Sequence, residues 1–581
     1  MHRAIIDRVS HITARIQIDR DRWLAFRNPA LMLQADSPES VRRTIVDVEH
    51  LTRDRGLHAV GFLTFEAAAA FGLPVTRVDS RLPFCWFALF EPAHVEHVGP
   101  PLRGSEYRLG TLTPSVDWHA FEASFARIKQ HLADGDTYQV NFTFQMRAQF
   151  EGDPVTLFAD LCQAQRGSYG AWIDLGDVVI ASASPELLFK FEGVEVVAKP
   201  MKGTARRGLT LETDRAAADA LRASPKERAE NVMIVDMVRN DLGRIADVGT
   251  VSVPDLFTVQ RYPTVWQMTS EVRARSSAPL DAVVEALHPS ASVTGAPKMR
   301  TLELIGDLES EPRGVYTGAI GHVPPNGLAQ FNVAIRTAVI DRRAGQLSFG
   351  VGSGVVWDSD AAAEYAECLL KGAVLAKRPE PVVLIETLRW TPAGGYYLLH
   401  GHLDRARDSA EYFDIPLVMA DLEAALVSVA VGVSSLRVRA LVATDGAITI
   451  ETSPLTLSVD QLRVRLASKA VDVEDPFLYH KTTNRSVYDR ARASAPDCDE
   501  VLLWNARGEL TEGTTTNLVV EMDGVRVTPP VSCGLLAGTC RAAMLANGEL
   551  HERIVTVQDL ERSPRLWLVN SVHGVRDAVL T

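Results

Sequence analysis

The chain has few cysteines, and their spacing shows no zinc-binding pattern. Its 581 residues include six cysteines, at positions 85, 162, 368, 498, 533 and 540, and no two of them form a Cys-x-x-Cys pair. This spacing argues against a structural zinc site or a disulfide framework and indicates reduced thiols. We therefore expect a cytoplasmic protein.

Acidic residues outnumber basic ones, and long apolar runs are scarce. The chain has 60 Lys and Arg against 73 Asp and Glu, a net charge of −13. Without a basic run, this balance argues against nucleic acid or an anionic membrane as a partner. No stretch is long and apolar enough to span a bilayer. The first eight residues mix charged with apolar side chains, which predicts no signal peptide.

The length predicts more than one domain. The clearest boundary lies at Ala376-Lys377-Arg378-Pro379-Glu380-Pro381, where prolines and charges separate a helical pattern from the strand-like residues 382–387. We expect an N-terminal part over 1–376, a linker over 377–382 and a C-terminal part over 383–581.

Lys202 is the most informative residue of the N-terminal part. It lies in the segment Lys199-Pro200-Met201-Lys202-Gly203-Thr204. Burial lowers the pKa of a lysine and frees its lone pair, so that the amine can act as a nucleophile. A solvated loop lysine is the ordinary alternative. The motifs that follow Lys202 favour the chemical interpretation.

Two helical patterns carry paired acids. Glu227 and Glu230 are three residues apart, and so are Glu364 and Glu367, which places each pair on one helix face. Two such faces could enclose a hard cation such as Mg²⁺, with some carboxylates acting through water. Each pair could equally be a solvated helix face.

Further motifs suit a small substrate with several carboxylates. The turn Phe349 to Val356 is rich in glycine, and the amides of Gly352 and Gly354 could donate to a carboxylate. Thr294-Gly295 offers a second polar turn. Arg336 is a cation within the apolar stretch 331–339, for which we expect a strand, and it needs an anionic partner.

In these motifs the N-terminal part resembles the chorismate-utilising enzymes, and within them aminodeoxychorismate synthase component I. The matching segments span most of residues 115–375 and are Tyr138 to Asn141, Ser184 to Glu186, Asp236 to Gly243, Thr294 to Lys298, and Glu364 to Cys368. Anthranilate and isochorismate synthases resemble the same region but carry alanine at the position of Lys202. The lysine therefore points to the aminodeoxychorismate branch.

The resemblance implies a role for each motif residue. Glu186 would protonate the departing C4 hydroxyl of chorismate while Lys202 attacks C2, and ammonia would then add at C4 and expel the lysine. Gln139 stands where water-adding relatives keep a lysine base, and Gln267 stands where many relatives have a histidine. Glu230 and Glu367 would bind Mg²⁺ most directly, with Glu227 and Glu364 in support. The substrate would be held by Thr294, Gly295, Tyr316, Arg336, Gly352, Gly354, Lys371 and the two glutamines.

The sequence shows no motif that would release ammonia for this reaction. No cysteine sits in a Gly-x-Cys-x-Gly nucleophile elbow, so the sequence offers no glutaminase. We expect a separate glutamine amidotransferase subunit to supply the ammonia.

The C-terminal part has its own lysine, Lys481, followed by Glu512 in a Thr-rich turn and by Gly538 at the start of a helical pattern. In this order they offer an amine for a Schiff base, an acid for a pyridinium nitrogen and amides for a phosphate. This arrangement resembles the fold-type IV pyridoxal-phosphate enzymes, which include branched-chain and D-amino acid aminotransferases and aminodeoxychorismate lyase.

That second resemblance implies that Lys481 bonds the cofactor and moves the proton, and that Glu512 pairs with the pyridine nitrogen. The phosphate would be held by Arg405, Thr515, Gly538, Thr539 and Cys540. Cys540 stands where a hydroxyl residue is common, and His573 stands where an arginine for the substrate carboxylate is expected. Relatives of this type usually dimerise, so a homodimer is plausible.

Together the two parts predict synthesis of 4-aminobenzoate, the folate precursor, from chorismate. Three alternatives stay open: an anthranilate synthase, an aminotransferase in the C-terminal part, or an inactive C-terminal binding module. For the architecture we expect a multidomain α/β (α+β) chain. Large antiparallel sheets should build the N-terminal part, and a two-lobed fold should hold the cofactor.

Overall fold

The computed structural model describes residues 13–75, 77–78, 81–376, 381–456, 461–563 and 565–581. They form two compact units, one from the described parts of 1–206 and 218–379, the other from those of 207–217 and 380–581. Both units combine helices with sheets, which confirms the predicted fold class. Part of the predicted linker lies outside the described residues. None of the described helices is long and apolar enough to cross a membrane.

The first unit contains two large sheets in which the described strand pairings are all antiparallel. The first sheet runs in the order Gly295–Ala296, Gln139–Gly152, Gln346–Val355, Thr337–Asp341, Val178–Ser184, Tyr169–Asp174, Thr13–Gln17, Trp23–Arg27 and Val95–Val98. Two short strands also pair with Gln139–Gly152, namely Tyr107–Leu109 and Thr113–Pro114.

The second sheet runs in the order Met201–Arg206, Val265–Arg275, Glu195–Lys199, Leu187–Glu192, Ala329–Val333, Ala319–Val323, His58–Leu63, Cys85–Phe90 and Leu31–Ala35, with Ser252–Arg261 beside Val265–Arg275. The strand that carries Lys202 is therefore at one end of this sheet.

The two sheets pack face to face, because one buried cluster takes Phe26 and Ile180 from the first sheet and Phe62 and Ile320 from the second. Helices cover the outer faces. The first sheet packs against Trp118–Ala133, Pro154–Gln165, Lys298–Leu308 and Ala361–Ala373. The second packs against Pro38–Arg55, Pro225–Gly243 and Leu280–Leu287. This unit is thus a layered structure with two central sheets.

The prediction of a single strand over 331–339 is wrong. The structure divides it into Ala329–Val333 in the second sheet and Thr337–Asp341 in the first. Arg336 lies at the corner between them with a φ of 52°. The chain passes from one sheet to the other here, and the left-handed backbone at Arg336 turns its direction.

The second unit has a smaller and a larger sheet. The smaller runs in the order Gly395–Tyr396, Leu384–Thr391, Leu436–Val442 and Ile448–Pro454. The larger runs in the order Leu510–Gly513, Glu500–Trp504, Leu462–Leu466, Gly574–Leu580, Leu566–Asn570, Asn517–Met522, Val525–Thr528 and His551–Glu552. Its helices are Leu399–Phe413, Met419–Val429, Ser486–Ala493, Thr539–Ala546 and Val557–Arg562, and Leu211–Ala223 begins in it.

A buried ion pair stabilises the first unit beside the strand Gln139–Gly152. Glu309 accepts hydrogen bonds from the Nε (2.9 Å) and Nη2 (2.7 Å) of Arg313 and from the backbone N–H of Thr143 (2.8 Å). Arg313 also donates to the carbonyl of Asn141 at 2.7 Å. Both charged side chains are almost inaccessible to solvent.

We predict that Glu309→Gln destabilises the first unit by about 3–5 kcal/mol, because the buried Arg313 charge loses its counter-charge. The control is Glu303→Gln on the helix Lys298–Leu308, which breaks an exposed pair with Arg300 and should cost under about 1 kcal/mol. Urea unfolding of the full chain measures both values. Equal effects of the two substitutions would contradict the prediction.

Candidate functional site

Lys202 lies on the strand Met201–Arg206, and its amine is 3.1 Å from the carboxylate of Glu230. The carbonyl of Lys202 accepts a hydrogen bond from the Nδ2 of Asn231 at 3.0 Å, and Asn231 accepts one from the hydroxyl of Ser270 at 2.6 Å. Both the backbone and the amine of Lys202 are therefore held by the helix Pro225–Gly243.

The other sheet supplies the opposite side of this site. Alternation along the strand Gln139–Gly152 turns Val140 to the helices and Gln139 to the other face. Gln139 is fully buried, and neither atom of its amide has a hydrogen-bond partner. A Cβ added to Gly354 would lie 3.0 Å from the amine of Lys202 and 3.4 Å from Gln139. Because buried polar groups are nearly always paired, the free amide of Gln139 indicates a ligand position beside Lys202.

Glu186 is the predicted acid, and the structure places it next to the Lys202 strand. It is buried and accepts hydrogen bonds from the hydroxyl of Ser292 (2.6 Å) and from the backbone of Met201, the residue before Lys202. Burial raises the pKa of Glu186 to about 7, although both hydrogen bonds lower it. A carboxyl with such a pKa can hold a proton near neutral pH and donate it.

The four predicted metal ligands lie on two helices. Burial and the neighbouring charge of Glu230 raise the pKa of Glu227. Burial by itself would raise the pKa of Glu367, but Lys371, 2.6 Å away, and Lys202 together lower it. Glu364 occupies the first turn of the same helix as Glu367.

In the described ranges, no group of three or more His, Cys, Asp or Glu side chains converges on one point. The oxygen donors nevertheless fit a hard cation. To bind one, Glu230 and Glu367 would have to turn oxygens away from the lysines that now pair with them. The Mg²⁺ site stays a prediction.

The structure brings several predicted substrate ligands together. Lys371 donates to the carbonyl of Gly352 at 2.8 Å, and Arg336 donates to the carbonyl of Lys371 at 3.3 Å. Arg336 makes no ion pair with any described carboxylate, and burial lowers its pKa. Tyr316 is buried, and its ring occupies the space that a side chain on Gly350 would need. A partly buried guanidinium without a carboxylate partner is suited to an anionic ligand.

Other predicted substrate ligands have partners within the protein. The hydroxyl of Thr294 donates to the carbonyl of Ser290 at 3.0 Å. Gly295 pairs with Val140, and only a glycine fits there, because a Cβ would lie 2.0 Å from a backbone oxygen. Gln267 accepts from the hydroxyl of Thr204 (3.0 Å) and donates to the carbonyl of Gly203 (2.8 Å). In this structure Gln267 thus holds the strand residues that follow Lys202, Gly203 and Thr204.

The second unit surrounds Lys481 with buried charged groups. Burial, together with the Arg405 charge, lowers the pKa of Lys481 to about 8, and its amine has no hydrogen bond or ion pair with another described residue. Glu512 accepts hydrogen bonds from the Tyr488 hydroxyl (2.8 Å) and from Asn517 (3.2 Å). Burial raises the pKa of Glu512 to about 7. Lys481 thus presents a free amine with a lowered pKa.

Several of the predicted phosphate ligands already make hydrogen bonds within the protein. Arg405 donates from Nε (2.9 Å) and Nη2 (2.6 Å) to Glu386, which leaves Nη1. The hydroxyl of Thr515 donates to Glu500 at 2.7 Å, and that of Thr539 lies 3.2 Å from the ring of His402.

At the start of the helix Thr539–Ala546 the structure requires a glycine. A Cβ on Gly538 would lie 1.9 Å from the side-chain oxygen of Asn517. Cys540, in the first turn of this helix, is buried. Close backbone approach at Gly538, with the free amides of a helix N-terminus, fits a phosphate group.

His573 lies in a cationic environment. Its backbone N–H donates to the side chain of Asn570 at 2.8 Å, and its Nδ1 is buried without a partner. Burial lowers its pKa, and the charges of Arg576, Arg437 and Arg389 lower it further. The positive charge that an arginine at 573 would bring is thus present on neighbouring strands.

The sequence analysis missed several residues that shape the two sites. Only Asn231 is adjacent to a residue that the motifs singled out, Glu230, so the sequence offered little signal for the others. In the first unit they are Asn231, Ser270 and Ser292. In the second they are Glu386, His402, Tyr488 and Glu500.

Comparison with known families agrees with these two sites. Residues 8–377 match the family model described as chorismate binding enzyme. The chain belongs to the chorismate-binding enzyme family. Residues 383–579 match the model of the class IV amino-transferases. Both predicted resemblances are thereby confirmed.

Curated relatives each match a little under half of the chain. An aminodeoxychorismate synthase of Streptomyces griseus is 41% identical over 253 residues, 43% of this chain and 35% of that protein. Aminodeoxychorismate synthase component 1 of Klebsiella aerogenes is 38% identical over 44% of this chain and 58% of its own length. An anthranilate synthase component 1 of Haloarcula marismortui is 39% identical over 48% of this chain and 56% of its own length.

The chain therefore spans about a third to three fifths of the curated relatives that it matches. The crystal structure of anthranilate synthase component I from Streptococcus pneumoniae has a TM-score of 0.52 at 24% identity. The matched region covers 61% of this chain and 92% of the Streptococcus pneumoniae chain. This likeness shows that the family fold is present.

We predict that Glu186→Gln gains stability relative to the native chain as the pH rises from 4.5 to 7. The folded carboxyl keeps its proton up to about pH 7, whereas the unfolded one loses it near 4.5. Its stabilising contribution is therefore complete below about 4.5 and is lost by about 7, a change of about 3 kcal/mol.

Urea unfolding between pH 4.5 and 8 measures this difference. Glu66→Gln serves as a matched control, because burial raises the pKa of Glu66 to about 7 as well, at a position outside the site. A pH-independent difference between Glu186→Gln and the native chain would show that the acid is not held in its protonated form.

Proposed function

We propose that the chain makes 4-aminobenzoate from chorismate in two steps. The first unit would aminate chorismate to 4-amino-4-deoxychorismate, and the second would expel pyruvate from that product. The observation that carries the proposal is the position of the Lys202 amine, between Glu230 and the unpaired amide of Gln139. Anthranilate synthases, which this chain also resembles, carry alanine where Lys202 stands.

In the first step, Glu186 would give its proton to the C4 hydroxyl of chorismate, which leaves as water. The Lys202 amine, having lost its proton, would bond C2 of the ring. Ammonia would then bond C4 while the bond from C2 to Lys202 breaks and returns the amine. A poor leaving group needs an acid, and a covalent intermediate divides one difficult displacement into two easier steps.

Two charged groups would orient the carboxylates of chorismate. The partly buried Arg336 has no described carboxylate partner, and Lys371 lies beside it. Gly352 and Gly354, both on the strand Gln346–Val355, would donate backbone amides to the same carboxylates. Mg²⁺ would be held by Glu230 and Glu367, with Glu227 and Glu364 in support, and would neutralise substrate carboxylates.

In the second unit, pyridoxal 5′-phosphate supplies an electron sink for proton removal at the carbon that bears the amine. Lys481 would bond it and afterwards carry the C4 proton, for which its lowered pKa is suited. Glu512 would face the pyridine nitrogen, and Arg405 with the amides at Gly538 would hold the phosphate. The arginines around His573 would attract the carboxylates of the amine substrate.

The proposal extends to partners. Because one relative is named as component 1 of its synthase, a separate glutamine amidotransferase subunit would supply ammonia. The chain alone would then use ammonium and not glutamine. The six free cysteines support a cytoplasmic setting, and a homodimer through the second unit is part of the proposal.

We predict that Lys202→Ala lowers the formation of 4-amino-4-deoxychorismate by about a hundredfold or more, because the covalent route is lost. The assay incubates the pure chain with chorismate, Mg²⁺ and ammonium and identifies the product by mass. Lys199→Ala is the control, since the Lys199 side chain is 38% exposed and pairs with Glu271 instead of with Glu230. Undiminished amination by Lys202→Ala would refute the covalent role.

We predict that Lys481→Ala loses the visible absorbance of bound pyridoxal phosphate and accumulates 4-amino-4-deoxychorismate in the same assay. The exposed Lys469→Ala should retain both the absorbance and 4-aminobenzoate formation. Exchange of amino groups between an added amino acid and a 2-oxo acid would instead favour an aminotransferase. A native chain without cofactor absorbance would favour the binding module.

A further inference from the structure

The second unit contains a short stretch of chain from far upstream, residues 207–217. Arg207 donates to Asp214 from Nε (2.6 Å) and Nη2 (2.8 Å), and the backbone N–H of Gly208 donates to the same carboxylate at 3.0 Å. The side chain of Asp214 is fully buried and that of Arg207 is 7% exposed. A buried pair is stable only when its hydrogen bonds are satisfied, so this segment is an ordered part of the unit.

The segment holds Tyr412, at the end of the helix Leu399–Phe413. The Arg207 guanidinium lies 4.5 Å from the centre of the Tyr412 ring and donates to the Tyr412 carbonyl at 2.9 Å. In return, the Tyr412 hydroxyl donates to the carbonyl of Gly208 at 2.9 Å. Three contacts of different kinds thus fix both the ring and the backbone of Tyr412.

Tyr412 in turn packs on His480, the residue immediately before Lys481. The two rings have centres 4.2 Å apart, and the ring of Phe413 lies 5.0 Å from His480 on another side. His480 also hydrogen-bonds through Nδ1 to the hydroxyl of Ser409 at 3.0 Å, and it is 5% exposed. Ser409 and Tyr412 are three residues apart and lie on the same helix face.

The orientation of Lys481 depends on these contacts around His480, because its own side chain makes few. Its carbonyl accepts a hydrogen bond from the N–H of Ile385 at 2.9 Å, and the next residue, Thr482, bridges to Leu384. Its amine makes no hydrogen bond or ion pair with another described residue. The direction of the amine is therefore set by the backbone and by the packing of His480.

We propose that Arg207 and Asp214 are positioning residues for Lys481, which they act on through Tyr412 and His480. The proposal rests on the proposed function of Lys481 as the residue that bonds pyridoxal phosphate. It also implies that the cofactor site is incomplete in residues 383–581 alone. If the segment served stability only, its loss would lower the unfolding temperature and leave the properties of the bound cofactor unchanged.

The test uses the full chain loaded with pyridoxal phosphate and two mild variants. Tyr412→Phe removes the hydroxyl that binds Gly208, and Arg207→Lys keeps the charge but loses the two-point contact with Asp214. Arg222→Lys is the matched control, because Arg222 is exposed and pairs with Asp219 within its own helix. The readouts are the Kd for pyridoxal phosphate and the pH midpoint of the lysine-bound cofactor absorbance.

We expect the Kd to rise at least about fivefold in both variants, with a shift of the pH midpoint by half a unit or more. Arg222→Lys should match the native chain. If Arg207→Lys does not fold, Tyr412→Phe alone decides the outcome. Values unchanged from the native chain in the folded variants would overturn this inference and leave the proposed function intact. Absence of lysine-bound cofactor in the native chain would overturn both.

Discussion

The contact between the Lys202 amine and the Glu230 carboxylate is the interaction on which the first site depends. The pair fixes the amine at a point that the glycine at 354 leaves open, beside the unpaired amide of Gln139. Attack on a substrate requires the amine to lose its proton, and Glu230 is the nearest group that could accept it. The same carboxylate is a predicted ligand of Mg²⁺. Metal binding and lysine activation would therefore be coupled through one side chain.

The buried glutamates of the two sites differ in pKa, and their surroundings decide which of them holds a proton near neutral pH. Glu186 and Glu512 are buried with only neutral hydrogen-bond donors, and their pKa values rise to about 7. Burial would raise the pKa of Glu386 too, but Arg405 and His402 outweigh it and hold the pKa at about 2. The first two can act as acids near neutral pH, whereas Glu386 is a permanent anion that orients Arg405.

Much of the architecture could be predicted because local patterns suffice for it. The helices with Glu227 and Glu364 follow from the spacing of apolar residues. Glu186 lies beside the strand of Lys202, where it accepts a hydrogen bond from the backbone of Met201. The corner at Arg336 could not be predicted, because the strand pattern continues through the point where the chain changes sheets. Nor could the partners of Gln267, since cross-strand register depends on the whole sheet. The docking of residues 207–217 depends on contacts with residues some 200 positions away.

The most direct test of the covalent role of Lys202 is a peptide mass map after incubation with chorismate and Mg²⁺ in the absence of ammonium. Without the second nucleophile, the intermediate should persist long enough to be trapped by rapid acid quenching. The account predicts that the peptide containing Lys202 gains the mass of chorismate less one water and that the adduct disappears when ammonium is added. An unmodified Lys202 peptide in a chain that still aminates chorismate would contradict it.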